Sequence, residues 1–580
     1  MSKKLKSVRI TVLLFGLLTA AFLLLSARCF ELQFFKGEHY SSIWHKQRQQ
    51  LRLQKPQRGA ILDCRGRVLA ASNKMQTIFA DPHIIKDAER AASKLGRILN
   101  MEAIEIYRLI TESKNRRFVK IKAGAGADEC KRAGEIYGIG VESGWRRHYP
   151  MGRLTANIVG FTNIDNEGKG GIELAYDEEL MGSAGANVFF ADAFRRPIRL
   201  KEQKGVLSDG AGVILTLDAT IQQFVRAELL RQYEDYEAES AVAIVAEPKT
   251  GAILALVSLP DFDPNNIGIG DVNNLCNRAM SDQFEPGSVI KPIVAAIAID
   301  TGVVGRNEKI FCEYGNYRGR GFGRIGEYGN HRFGNLTVRE ILVHSSNIGM
   351  AKIGQKLGKA QLYKGLQLFG FGKKTGEDWP AEALGLVRPA QKWTGYSVTR
   401  IPFGQEISVT GVQLIRAFCI LANGGRSVRP FLAKAIVDNN GEIVKVGGRL
   451  VKRSQDGAGL DRHQGGVGFV VEPEVAKWIV GDCLVGVVNE GTGQKAKLQK
   501  WQVFGKTGTA QLAKKDQRGY SEDSYVASFV GGGPAEKPAV VVLVSIFKPN
   551  IRLGKGYTGG MVAAPVAGKI IEKTLNYLER

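Results

Sequence analysis

An α+β fold carried on one membrane-crossing helix is what the sequence predicts, and three observations predict it. The first is the stretch from Ile10 to Ala27, 18 residues without a charge, preceded by Lys3, Lys4, Lys6 and Arg9. The second is the length: at about 100–200 residues per domain, a chain of 580 residues exceeds one core, and its helical and strand-like stretches show no repeat. The third is the C-terminal pattern. "WQVFGKTGTAQL" (501–512) leads into "SYVASFVGGGPAEKPAVVVLVSIFKP" (524–549), two strong strand signals parted by a Gly/Pro turn, and a closing helix follows in "AAPVAGKIIEKTLNYLER" (563–580).

At 1.5 Å per residue the uncharged run is about 27 Å long, close to the roughly 30 Å of a hydrocarbon core, and Arg28 is free to snorkel at its far end. No A-x-A-like site follows, and "SARC" puts Arg28 where a lipoprotein cleavage site wants a small residue, so the segment reads as a retained anchor. The basic N-terminus then stays in the cytoplasm and everything after Arg28 lies outside. The expected division is a cytoplasmic tail over 1–9, a transmembrane helix over 10–28, one extracytoplasmic domain over 29–210 and a second over 211–580.

A hydrophobic share of 44 % and 70 glycines describe a folded, turn-rich chain. The net charge of +23 admits an anionic partner. No zinc finger, RRM signature or long basic helix favours nucleic acid. The seven cysteines are scattered without a CxxC pair, so no metal or redox site is expected, and the odd count leaves at least one thiol unpaired.

Along the chain, "AILDCRGRVLA" (60–70) is a hairpin signal around Cys64, Arg65 and Gly66. Residues 76–206 continue as mixed helix and strand without obvious chemistry. A helix is expected from about Thr220 to Tyr236, then two strands around a turn set by Pro248 and Gly251. That turn contains the first of three KTG strings, Lys249 to Gly251. The second, Lys374 to Gly376, sits among Gly, Pro and acidic residues and reads as a surface loop. Only the third, Lys506 to Gly508, opens a strand run.

A strand-borne lysine needs partners. In "DQFEPGSVIKPIVAAIAIDTG" Ser288 and Lys291 are three apart at the start of a helix ended by Gly302, so both face one way. Pro292 is tolerated within the first turn, and the serine meets the positive end of the helix dipole. The same S-x-x-K spacing at Ser545 to Lys548 lies in a strand, where residues three apart face opposite sides. "REILVHSSNIGMAKIG" adds Ser345 and Asn347 in a break between helices; another S-x-N, Ser113 to Asn115, has no such context. The order S-x-x-K, S-x-N, K-T-G-T is the signature of penicillin-recognising serine enzymes.

With these motifs the chain resembles a class B penicillin-binding protein, a membrane-anchored peptidoglycan D,D-transpeptidase. "HYPMGRLTANIVGFTN" and "GGIELAYDEELMGSAG" look like the family's N-terminal pedestal motifs, and so does "RGAILDCRGRVLA", although Cys64 stands where the family commonly has arginine. "FEPGSVIKP" and "KTGTAQ" look more like the cell-division branch than the elongation branch.

The resemblance implies a pedestal over 29–210 and, over 211–580, a penicillin-binding, serine β-lactamase-like domain: an antiparallel sheet with helices on both sides. It implies that Ser288 attacks the penultimate D-Ala carbonyl of a stem peptide. Lys291 would act as base, while Ser345, Asn347 and Lys506 would relay the proton and fix the substrate. Thr507 and Thr509, on one strand face, would bind the terminal carboxylate, with Gly508 letting the substrate backbone come close. The N–H groups of Ser288 and Thr509 would form the oxyanion hole.

The implied partners are D-Ala-D-Ala stem peptides, β-lactams, a polytopic glycan polymerase and other division proteins. The implied location is the cytoplasmic (inner) membrane, with the catalytic domain outside, and no cofactor is needed. Alternatives are an elongation- or sporulation-type transpeptidase, a D,D-carboxypeptidase, or a non-catalytic β-lactam sensor or scaffold. A class A β-lactamase is disfavoured because the one E-x-x-L-N match, Glu572 to Asn576, falls after the K-T-G-T motif.

Overall fold

The computed structural model describes residues 2–113, 118–191, 197–204, 206–376, 380–446, 449–450, 468–514 and 519–579. The chain divides into two compact units, Met1–Pro56 with Gly182–Asp209, and Gln57–Met181 with Gly210–Arg580.

The first unit begins with the helix Ser2–Phe30, which runs on through a π turn over Glu31–Phe35. Among the described residues, Val8–Phe35 is the one helix long and apolar enough to cross a membrane, and none of it is buried in the protein. Its leucines and phenylalanines are exposed, as expected where lipid rather than protein covers them. A second helix, Gly37–Arg48, leads into a three-stranded antiparallel sheet of Gln49–Gln54, Gly185–Ala191 and Pro197–Lys204.

In the second unit the hairpin around Cys64 forms as read: Ile61–Leu62 pairs with Val68–Ala80. Ile61–Leu62 also runs parallel to Gly212–Leu215, which joins these strands to Ala433–Val437 in one sheet. A buried ion cluster ties the segments before residue 181 together. Glu173 accepts from Arg58 Nε and from Arg147 Nε, both at 2.6 Å, while Arg58 also reaches Asp177 at 2.7 Å. All three members of the Arg58–Glu173–Arg147 triad are buried. Such charges are tolerated inside only because each is hydrogen-bonded and paired.

The main sheet of this unit consists of β1 (Ser240–Ala246), β2 (Ile253–Leu259), β5 (Phe504–Ala513), β6 (Tyr520–Gly533) and β7 (Val540–Phe547); β3 (Asn316–Gly319) and β4 (Gly323–Gly326) form a separate two-stranded ribbon. Every pairing in the five-stranded sheet is antiparallel, in the order β2-β1-β7-β6-β5, so β5 is an edge. Helix α1 (Ala219–Asp235) and the closing helix α6 (Ala564–Leu578) cover one face; α2 (Lys291–Asp300) and α5 (Gly411–Ala422) lie over the other.

Because both faces are covered, β1 has no polar face: Ala241, Ala243 and Val245 pack with Val225 and Ile570, while Val242, Ile244 and Ala246 pack with Ile293 and Leu414. The expected helix near 220–236 is α1, capped by Asp218, whose side chain accepts from Thr220 N. Lys249 to Gly251 is a turn, with Gly251 at φ +84°. The second KTG departs from the surface-loop reading. Thr375 is buried, and its N–H and hydroxyl both donate to Glu382. A local composition rule counts Glu382, seven residues on, as one more loop acid and does not see that Thr375 folds back to donate to it.

Candidate active site

The segment Gly287–Ile290 is a 3₁₀ turn that runs straight into α2. In 3₁₀ geometry side chains i and i+3 eclipse, which aligns Ser288 with Lys291 more closely than an α turn would. Pro292 lies in the first turn of α2, where its missing N–H costs no intrahelical bond. Lys291 is fully buried, while Ser288 stays partly accessible.

Two glycine contacts hold this turn. Gly287 N donates to Gly404 O at 3.2 Å, and a Cβ on Gly404, whose φ is +91°, would lie 2.1 Å from Gly287 O. On the other side a Cβ on Gly508 would come within 2.6 Å of Val289 Cγ2 and 3.0 Å of Pro286 O. On this side Gly508 therefore packs against the turn that carries Ser288.

Ser345 lies between α3 (Val338–Val343) and α4 (Asn347–Leu368), and Asn347 is the first residue of α4. Ser346 caps α4 by accepting from Gly349 N, and Ser345 has φ +58°, a left-handed conformation that costs a non-glycine residue roughly 1 kcal/mol or more. Its carbonyl accepts from Lys291 Nζ at 2.5 Å. The same amine reaches Ser345 Oγ at 3.2 Å and donates to Asn347 Oδ1 at 2.8 Å.

Lys506 enters from β5, fully buried, and its Nζ lies 3.0 Å from Ser345 Oγ and 3.2 Å from Thr507 O. The two lysine amines thus meet on one serine hydroxyl. Segments some 54 and 161 positions apart from Ser345 in sequence supply them.

Burial dominates the electrostatics. It pushes Lys291 down to about 7, against a smaller opposing pull from the Glu327 carboxylate. Lys506 lies well below the ordinary lysine value, through burial first and the neighbouring Lys291 second. Two ammonium groups this close in a dry pocket repel, so the pair favours losing charge. A neutral amine facing a serine hydroxyl is what nucleophilic activation requires.

Period two puts Lys506 and Gly508 toward the Ser288 turn, and Thr507 and Thr509 away from it, on one shared face as expected. Thr507 Oγ1 lies 2.5 Å from Thr492 Oγ1, and Thr509 Oγ1 accepts from Gly559 N at 3.1 Å. Both hydroxyls are held in place by these neighbours. A Cβ on Gly287 would sit 3.2 Å from Thr509 O, so the Thr509 carbonyl faces the Ser288 turn. In an extended strand the N–H of the same residue points the same way.

All eight predicted site residues thus fall in one region: Ser288 and Lys291 on one face of a helical run, Ser345 and Asn347 against Lys291, and 506–509 along the edge strand beside them. The chance S-x-x-K is settled differently, because Ser545 is buried in β7 and shares a hydrogen bond with Ser528. In the S-x-N at Ser113, Asn115 lies outside the described residues. His344 stacks on Phe333 with centroids 5.5 Å apart, a packing role.

Two supporting residues escaped the sequence reading. Glu327 accepts from Ser346 Oγ at 2.5 Å and from Asn347 N at 2.6 Å, and so fixes the start of α4. It lies in a glycine-rich stretch with no spacing signal to mark it. Glu285 sits inside the quoted "FEPGSVIKP" and could have been noticed. Its carboxylate accepts from Glu406 N at 2.9 Å and from Tyr520 Oη at 3.0 Å, which ties the segment before Ser288 to the start of β6. Burial raises its pKa despite those two bonds.

Residues 241–572 match the family model described as penicillin binding protein transpeptidase domain, and residues 53–213 match the penicillin-binding protein dimerisation domain. The chain is 32% identical over 571 residues to stage V sporulation protein D of Bacillus subtilis strain 168, covering 97% of this chain and 84% of that protein. It is 29% identical to peptidoglycan D,D-transpeptidase FtsI of Escherichia coli K12, covering 89% of this chain and 82% of the other. Penicillin binding protein 3 from Mycobacterium tuberculosis, solved in complex with ampicillin, superposes with a TM-score of 0.67 at 26% identity, covering 91% of this chain and 96% of that one.

Proposed function

Since the chain belongs to the class B penicillin-binding proteins, serine peptidoglycan D,D-transpeptidases that bind stem peptides and β-lactams, we propose that Ser288 is its acylated nucleophile and Lys291 the base that activates it. The observation that carries this reading is the meeting of Lys291 Nζ and Lys506 Nζ on Ser345 Oγ, beside the turn that presents Ser288. Lys291 takes the Ser288 proton as Oγ bonds to the penultimate D-Ala carbonyl carbon. The C–N bond to the last D-Ala then breaks, and the proton passes through Ser345 and the lysine pair to the leaving amine. An acceptor amine attacks the ester, and Ser288 recovers its proton as the new amide forms.

Asn347, turned toward Lys291, and Lys506 hold the donor and tune the amine. The Thr507 and Thr509 hydroxyls receive the terminal carboxylate. Gly508 keeps the nucleophile turn against the strand and lets the substrate backbone come close, and the N–H groups of Ser288 and Thr509 supply the oxyanion hole. In this reading the chain comprises a cytoplasmic tail over 1–9, a transmembrane helix over 10–28, a pedestal over 29–210 and the transpeptidase domain over 211–580.

The basic N-terminal tail supports a cytoplasmic N-terminus with the catalytic body outside the cytoplasmic membrane. The division role rests on "FEPGSVIKP" and "KTGTAQ", with a glycan polymerase and other division proteins as partners. The sporulation name of one relative supports a second reading, a transpeptidase of the spore wall.

The test is labelling of membranes with fluorescent penicillin. Wild type should take up label, Ser288→Ala none, and Lys291→Arg none, because a guanidinium cannot serve as a neutral base. Ser288→Ala protein that labels at full intensity would show that the nucleophile is another residue.

A further inference from the structure

The β3–β4 ribbon overhangs the catalytic pocket: Gly326, its last residue, accepts from Asn347 Nδ2 at 3.2 Å, and the next residue is Glu327. Its inner face is anchored, with Ile325 buried and the Tyr317 and Phe322 rings packed at 4.8 Å. Its outer face is basic. Arg318 stands directly opposite Arg324 in the register, and Arg320 sits in the connecting turn; all three are exposed.

Like charges directly opposite each other weaken a strand pair, so this pairing opposes the ribbon's own stability. Among the described residues, no carboxylate pairs with Arg318, Arg320 or Arg324. Arg400 adds a fourth cation: its Nη2 donates to Arg324 O at 2.8 Å, its guanidinium lies over the Tyr396 ring, and its buried Nε makes no hydrogen bond. By contrast, Arg58, Arg67, Arg147, Arg226 and Arg339 each hold a carboxylate. The surface between Arg318, Gly319, Gly323 and Arg324 is open and shallow.

We infer that the arginine face of this ribbon docks the carboxylates of the second stem peptide, the acyl acceptor. The inference rests on the transpeptidase reading above. A donor peptide laid along β5 leaves the Asn347 side of the pocket as the approach to the acyl-serine, and the ribbon lines that side. An acceptor peptide whose acidic residues carry free carboxylates complements four guanidinium groups that lack a carboxylate partner, and planar forks suit carboxylates better than point charges do. No such positive face is needed to stabilise the fold.

The experiment uses the full chain in detergent micelles, with transfer rates expressed per site labelled by fluorescent penicillin. The acceptors are an amine peptide bearing free carboxylates and the same peptide amidated. Arg318→Gln/Arg320→Gln/Arg324→Gln should raise the acceptor KM for the acidic peptide about tenfold and shift products from transfer toward hydrolysis, with the amidated peptide hardly affected. The triple Lys variant should recover most of the loss, and the wild-type advantage should shrink as salt is raised.

An unchanged KM for the acidic peptide, or equal loss with both peptides, overturns the inference. So does loss of polyphosphate binding with unchanged acceptor KM, which would assign the arginines to a wall polymer. Wild type that takes up no penicillin sinks the transpeptidase reading and this inference with it; a labelled wild type with indifferent arginines sinks this inference alone.

Discussion

The buried amine of Lys291 makes the pH dependence of acylation a sharp test. At an ordinary lysine value of 10.5, about one side chain in 3,000 is neutral at pH 7. Burial brings the group to about 7, so about half is neutral there, a gain of roughly 10³ in the reactive form. The second-order rate of acylation by a chromogenic cephalosporin, followed by stopped flow, should rise tenfold per pH unit below about pH 7 and level off above it. Glu327→Gln should move the inflection down, because the carboxylate favours the ammonium.

The same shift has a stability sign. A lysine with a lowered folded value destabilises the protein fully below about pH 7, by about 5 kcal/mol, and the cost disappears as pH approaches 10.5. Wild type should therefore gain stability relative to Lys291→Met between pH 7 and 10. A rate that is flat from pH 5.5 to 9, or that inflects near 10, would refute the neutral-amine mechanism.

Gly508→Ala puts a Cβ against Val289 Cγ2 and Pro286 O, both within 3.0 Å, so penicillin acylation should fall at least tenfold and stability by about 1–3 kcal/mol, checked by labelling rate and thermal melts. Glu285 carries a raised folded value, so the wild type loses stability as pH climbs from about 4.5 through that value. Glu285→Gln should melt at or above wild type at pH 8, and the difference should vanish near pH 4. Glu173→Ala strands two buried guanidinium groups and should cost about 3–5 kcal/mol in denaturant titration, whereas a surface pair such as Arg231–Asp235 should cost little when broken.

Chain order and local pattern carried the sequence a long way here. An 18-residue uncharged run can only be satisfied by an apolar surrounding, and the helix Ser2–Phe30 follows. The spacing of Ser288 and Lys291 at a helix start, the break at Ser345 and the strand at Lys506 are local facts, set by periodicity, breakers and turn residues. They sufficed to single out one KTG from three.

What the sequence could not hold is anything that depends on two segments meeting. The left-handed Ser345 that turns its carbonyl to Lys291, the Glu327 carboxylate seated on α4 and the Glu285–Tyr520 tie are contacts between stretches far apart in the chain. So is the lowered basicity of Lys291: a lysine loses its proton at neutral pH only where the surrounding protein excludes water, and burial is a property of the packed fold, not of the residue or its neighbours in sequence.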